Sequence, residues 1–177
     1  MSHQVTLIPG DGIGPEVSSA ARRAVDATGV RIDWEVVQLN EEVIRNAGVS
    51  LPQGVLDSLE RTRVGLKGPV TTPIGEGFAS INVTLRQKFE LFANFRPVKN
   101  LPGLKTRYPN LDLIIVRENM EDLYAGLEHV VVPGVVQALK IITEKGSTRI
   151  AKFAFDYARK HDRKKVHAIH KANVMKL

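Results

Sequence analysis

The 177 residues carry 25 Lys and Arg against 19 Asp and Glu, a formal charge of +6, and are 43% hydrophobic and 25% charged. That balance belongs to a globular chain able to bury a core without metal or disulfide support, and it excludes disordered and fibrous classes. Cysteine is absent, which excludes thiolate nucleophiles, disulfides and cysteine metal sites.

Only Ser2, His3 and Gln4 separate Met1 from the short apolar run Val5 to Ile8. This run is too short for a signal segment, and no apolar stretch reaches the ~20 residues of a membrane helix. The expectation is a cytoplasmic protein with no membrane partner. "QVTLIPGDGIGPEVSSAARRAVDATG" reads as strand, glycine-rich turn and helix. Pro15 suits the first helical turn, Val17, Ala20, Ala21, Ala24 and Val25 make an apolar stripe, and Gly29 suits the stop. The turn fails the G-x-G-x-x-G test because Pro15 stands in place of the third glycine. It remains either a plain structural turn or a place where helix-start amides meet an anion or cofactor.

"RIDWEVVQL" alternates like a strand, "LPQGVLDSLERTR" starts a helix near Pro52, and "VGLKGPV" is a short strand. Strands alternating with helices predict an α/β architecture with a largely parallel sheet. "LKGPVTTPIGEGF" is rich in backbone and poor in side-chain bulk: a solvated connection, or a wall for a planar or phosphate-bearing ligand. A helix starting just after Ser80 makes Ser80 its cap or nearly so and Asn82 part of its first turn. Arg86, four residues after Asn82, then projects from the same face. Arg96 follows on a strand and shares a face with Asn94. Arg117 ends the apolar run "LDLIIV", read as a buried strand, where its head can reach a cleft. Three arginines together with Ser80 and Asn82 point to a small polycarboxylate or phosphate.

"HVVVPGVVQALKIITE" predicts two β-branched strands hinged at Pro133 and Gly134. "STRIAKFAFDYARKH" predicts a helix capped by Ser147, with Ile150, Phe153, Ala154 and Tyr157 on one face. "KVHAIHKAN" predicts a last strand that puts Lys171 and Asn173 on one face. Tyr124 stands in a polar, glycine-containing segment where it could donate a proton. A lysine held among arginines, as Lys171 would be, suits acid-base work. The late basic run, Arg159 to Lys176, has no aromatic residue to stack bases, so no nucleic-acid partner is expected.

The stretches "LIPGDGIGPEV", "LKGPVTTPIGEGFASINVTLR", "ANFRPVK", "VRENMEDLYAGLEH", "ITEKGSTRIAKFAFDYAR" and "HKANVMK" together resemble the isocitrate/isopropylmalate dehydrogenase family, and within it the NAD-dependent isocitrate dehydrogenases. The resemblance implies a two-domain α/β fold of which this chain carries the N-terminal half, with residues 1–91 in the large domain and 92–177 in the small one. It implies metal-dependent oxidative decarboxylation of isocitrate with NAD. Ser80 and Asn82 would hold the carboxylate that distinguishes isocitrate, and Arg86, Arg96 and Arg117 would grip the others. Tyr124 would protonate the enolate carbon, and Lys171 would assist removal of the hydroxyl proton across a homodimer with a shared active site. Ile13 and Thr72 would lie along NAD, and Asn173 near the nicotinamide or substrate. Segment 121–143 would form the dimer arm. The Mg2+ or Mn2+ ligands would lie in the other half, since the acids of "RENMEDLYAGLE" match no family metal ligand; the 177-residue chain alone is then expected not to turn over. Homoisocitrate or isopropylmalate oxidation, and a non-catalytic or regulatory subunit, are the alternatives.

Overall fold

The computed structural model describes residues 2–71, 80–171, 173 and 174. Thr72 and the following residues of the "TTPIGEGF" loop lie outside the described residues. The chain divides into two compact units, Met1–Lys88 and Phe89–Leu177.

The first unit is built on a three-stranded parallel sheet. Its centre is β1 (His3–Ile8), flanked by β2 (Ile32–Val36) and β3 (Gly65–Lys67), with Val5 opposite Trp34 and Leu7 opposite Leu66. Val5 and Leu7 on one face and Thr6 and Ile8 on the other are all buried, the pattern of a parallel strand covered on both sides. The Thr6 hydroxyl is satisfied in this core by Ser58 and Thr62, each at 2.7 Å, from α3 (Gln53–Thr62).

α1 (Gly14–Asp26) has Pro15 in its first turn, as predicted, but its covered face differs from the predicted stripe. Gly14 and Ser18 are buried and Ala21 and Val25 half-buried, while Val17, Ala20 and Ala24 are exposed. The reason is tertiary: Gly14 and Ser18 meet the backbone at Pro9, where the Ser18 hydroxyl donates to the Pro9 carbonyl at 3.2 Å. A small polar residue that bonds the neighbouring loop displaces valine from the interface. The sequence reading did not separate out α2 (Glu41–Ala47), which starts at Asn40, whose side chain accepts from the Val43 amide at 2.8 Å. α4 (Ile81–Lys88) buries Ile81 and Leu85.

The second unit pairs β4 (Ala93–Lys99) with β5 (Asp112–Glu118) in antiparallel register and packs α5 (Glu144–Lys160) on them. Phe95 meets Phe153 and Tyr157 of α5 at ring separations of 6.2 and 4.7 Å, and Phe92 meets Phe153 at 6.0 Å. The predicted inner face of α5 therefore holds. Its cap does not: the helix begins earlier, and Thr143 rather than Ser147 accepts from the Gly146 amide at 3.0 Å.

β5 is covered on one face only, with Leu113 and Ile115 exposed, because α5 takes the other side of a two-stranded ribbon. This corrects the expectation of a buried strand. β6 (Glu128–Val132) and β7 (Val135–Ala138) form the predicted hairpin about Pro133 and Gly134, with every strand residue exposed. The last predicted strand is absent: residues 163–171 have no regular structure, and among the described residues no strand pairs with them to satisfy their backbone.

Candidate functional site

In the first unit Asp11, Ile13 and Lys67 stand at or just past the C-terminal ends of the parallel strands β1 and β3, where open α/β sheets bind ligands. The turn after β1 and the turn after β3 pack backbone to backbone. A Cβ on Gly10 (φ +81°) would fall 1.7 Å from the Pro69 carbonyl oxygen, and one on Gly68 would fall 2.2 Å from that of Pro9. Glycine is required at both positions by this close approach.

Asp11 ties the two turns together. Its Oδ1 accepts from the Thr71 amide at 2.8 Å and the Thr71 hydroxyl at 2.7 Å, and its Oδ2 from the Glu41 amide at the start of α2 at 3.0 Å. Burial works to raise the Asp11 carboxyl, but these hydrogen bonds and the Lys67 charge outweigh it and hold it below its ordinary value. Lys67, the last residue of β3, is half-buried and donates to the Gly68 carbonyl at 2.9 Å. Burial lowers its ammonium pKa, Asp11 opposes this, and the Arg86 charge adds to it. The sequence reading singled out neither Asp11 nor Lys67. Their signal was available, in an acid inside a glycine turn and a lone lysine opening the "KGP" turn.

Ile13 stands at the start of α1 and is 67% exposed. Ser80 precedes α4, and its carbonyl accepts from the Thr84 amide at 2.9 Å and the Thr84 hydroxyl at 3.0 Å, the backbone role of a cap residue. Asn82 and Arg86 lie one turn apart on α4 and share a face. Lys67 and Arg86 together give this end of the unit two cations within electrostatic reach of each other.

In the second unit the strand register brings residues together. Asn94 lies directly opposite Arg117, and Arg96 is two residues along the same strand. All three therefore share the face of the β4–β5 ribbon that α5 does not cover. Arg96 Nε donates to Asn94 Oδ1 at 2.8 Å. The Arg117 guanidinium donates to Oδ1 of buried Asn119 at 3.1 Å and sits 5.5 Å from the centre of the Tyr124 ring. Tyr124 is carried on a short 3-10 turn, Leu123–Ala125, and is 37% exposed. Lys171 and Asn173 lie exposed after α5 and belong to no strand. Among the described residues no group of three or more His, Asp or Glu side chains is placed to hold a metal ion.

Residues 4–177 match the family model described as isocitrate/isopropylmalate dehydrogenase. The chain belongs to this family. It is 52% identical over 172 residues to an Arabidopsis thaliana protein named isocitrate dehydrogenase [NAD] catalytic subunit 6, mitochondrial, covering 97% of this chain and 46% of that protein. It is 51% identical over 172 residues to the chloroplastic 3-isopropylmalate dehydrogenase of Solanum tuberosum, covering 97% of this chain and 48% of that one. A solved isocitrate dehydrogenase from Methylococcus capsulatus superposes with a TM-score of 0.88 at 46% identity, covering 98% of this chain and 52% of the other. The chain spans about half the length of the curated relatives it matches.

Membership establishes the α/β dehydrogenase fold and an enzyme family. It also corrects the expected compartment. The NAD isocitrate dehydrogenase subunits among the relatives, catalytic and regulatory alike, are named as mitochondrial, which overturns the cytoplasmic expectation. The shortness of the apolar run Val5 to Ile8 and the lack of a membrane-length apolar stretch carry no cellular address, so neither could decide the matter. No helix among the described residues is long and apolar enough to cross a membrane.

Proposed function

We propose that this chain supplies the isocitrate-reading half of an NAD-dependent isocitrate dehydrogenase, which converts isocitrate and NAD to 2-oxoglutarate, CO2 and NADH. The observation that supports it most is the second unit's ribbon face, where Arg96 and Arg117 stand together and the Tyr124 ring lies against Arg117. Two guanidiniums grip carboxylates with two-pronged hydrogen bonds. When the carbon–carbon bond to the leaving carboxylate breaks, its electron pair remains on an enolate, and the Tyr124 hydroxyl is the acid that returns a proton to carbon.

By the family resemblance, Ser80, Asn82 and Arg86 would hold a carboxylate, with the hydroxyl and amide selecting it over an apolar group. Lys171 would assist removal of the substrate hydroxyl proton. Ile13, Thr72 and Asn173 would contact NAD, the hydride acceptor; an exposed Ile13 beside a turn lined by backbone fits a flat cofactor. The implied Mg2+ or Mn2+ finds no set of three His, Asp or Glu ligands among the described residues. Self-association as a homodimer is part of the proposal. The exposed valines of the β6–β7 hairpin, which among the described residues pairs only its own two strands, are the surface offered to a second copy.

The potato relative favours isopropylmalate as the second reading, against which Ser80 and Asn82 stand as polar groups. Calorimetric titration with both substrates separates the two, and absorbance at 340 nm with Mg2+ and NAD reads turnover. The expected outcome for a mass-verified 177-residue chain is isocitrate binding without turnover. Arg117→Lys is expected to weaken that binding by about tenfold or more, since a lost charged hydrogen bond is worth over ~1.4 kcal/mol. Tighter binding of isopropylmalate would reassign the substrate. Binding of neither would leave a non-catalytic subunit as the better reading.

A further inference from the structure

The turn that carries Tyr124 is fastened to the rest of its unit by an acid that takes no part in the proposed chemistry. At the end of β5, Glu118 Oε2 accepts from the amides of Met120 and Glu121 at 2.9 and 2.8 Å and folds the chain back. The Glu121 carboxylate then reaches the start of α5. It accepts from the Thr143 amide at 2.8 Å and from the Thr143 hydroxyl, the same hydroxyl that caps the Gly146 amide. A Cβ on Gly146 would lie 2.3–2.5 Å from the Glu121 carboxyl atoms. The carboxylate thus occupies space on the first turn of α5 that only a glycine leaves open.

Two further links close the same turn. The Asp122 amide donates to the Ile141 carbonyl at 2.8 Å, and its carboxylate pairs with Lys140 at 3.0 Å. Asp122 adopts φ +62°, a conformation that non-glycine residues hold only when their surroundings impose it. Finally, the Tyr124 amide donates to the Glu121 carbonyl at 3.2 Å, so the residue that grips α5 also starts the tyrosine's turn.

We propose that Glu121 is a positioning residue: its carboxylate, seated against Thr143 and Gly146, sets the turn that holds Tyr124 beside Arg117. The significance of this placement rests on Tyr124 being the proton donor, but the placement itself is testable without substrate. The alternative is that Glu121 only caps α5.

The chain has three tyrosines, Tyr108, Tyr124 and Tyr157. Tyr157 lies on α5 against Phe95, so it reports the helix. The experiment is ring-carbon NMR of the 13C-tyrosine-labelled full chain, with Tyr124 assigned by its loss in Tyr124→Phe. In Glu121→Ala the Tyr124 resonance and its cross-peaks to the Arg117 side chain are expected to shift while Tyr157 stays in place. Gly146→Ala is expected to shift Tyr124 likewise, with Glu121 still present, because the new carbon takes the carboxylate's place. In the double variant the second substitution is expected to add nothing, a non-additivity specific to the contact.

An unmoved Tyr124 in Glu121→Ala, with α5 intact, would overturn the proposal and leave Glu121 a helix cap. If Glu121→Ala also shifts Tyr157, Gly146→Ala decides, since alanine favours the helix; an unmoved Tyr124 there overturns it too. Failure to bind isocitrate would instead count against the functional reading and leave the clamp standing.

Discussion

β1 and the β6–β7 hairpin are built from the same kind of residue and meet opposite surroundings. Val5, Leu7 and Ile8 are 7%, 4% and 1% exposed, whereas Val130, Val132 and Val136 are 66%, 52% and 64% exposed. β1 lies between two parallel strands with helices against it, and even its threonine finds two hydroxyl partners. Among the described residues the hairpin has only its own two strands, and every residue of both is exposed. Residue type therefore says that a strand wants cover, and says nothing of where the cover comes from. One run is the core of its own unit; the other is the surface proposed for a second copy.

The largest expected effect is in the core. Ile8→Ala should cost about 3 kcal/mol, as for other large-to-small core substitutions, measured by urea unfolding of the first unit through Trp34 fluorescence. Val136→Ala in the hairpin should change the unfolding of the isolated chain by less than ~0.5 kcal/mol. Equal costs would erase the distinction between the two strands.

Next comes the fastening of α5 beside the hairpin. Thr143→Ala should destabilise the second unit by about 1 kcal/mol through loss of a helix cap, and Ser147→Ala by less, read as helical signal at 222 nm against denaturant. The reverse order would restore Ser147 as the cap. The paired change Val131→Thr and Val136→Thr should leave unfolding almost unmoved but lower the sedimentation-derived association constant. Monodisperse monomers of the unaltered chain at micromolar concentration would remove the role given to the hairpin.

The smallest effect concerns the first unit in acid. The folded Asp11 carboxyl lies below its ordinary value of 3.8, so its interactions contribute stability that is present above that value. That contribution is lost as pH falls through the lower folded value. Asp11→Asn should therefore flatten the stability profile below about pH 4, followed by Trp34 fluorescence. An unchanged acid limb would mean that Thr71 and Glu41 do not depend on the carboxylate.

Much of the site was legible from local pattern. Ser80 before a helix, Asn82 and Arg86 one turn apart, and Arg96 sharing a strand face with Asn94 all follow from periods of 3.6 and 2 residues. Arg117 joining that face does not, because strand register across β4 and β5 joins residues more than twenty apart. The contact of Arg117 with Tyr124 depends on a turn held by Glu118, Glu121 and Asp122, each bonded to a different backbone segment. Likewise Asp11 and Lys67 gain their roles only where the turns after β1 and β3 meet. The predicted last strand failed for the complementary reason: an alternating run is no strand until a neighbour accepts its backbone.

By itself the sequence determined most of the local elements, the chemistry of the side chains they carry and, through motifs spread along its length, the family. These depend on residues within a turn or a pleat of each other, or on identity alone. Tertiary structure alone decided which face of α1 is covered, that Thr143 rather than Ser147 caps α5, and that β5 is open on one side. It also decided that Glu121 seats against Gly146. Each of these is settled by an atom far along the chain occupying a place that no local pattern reserves.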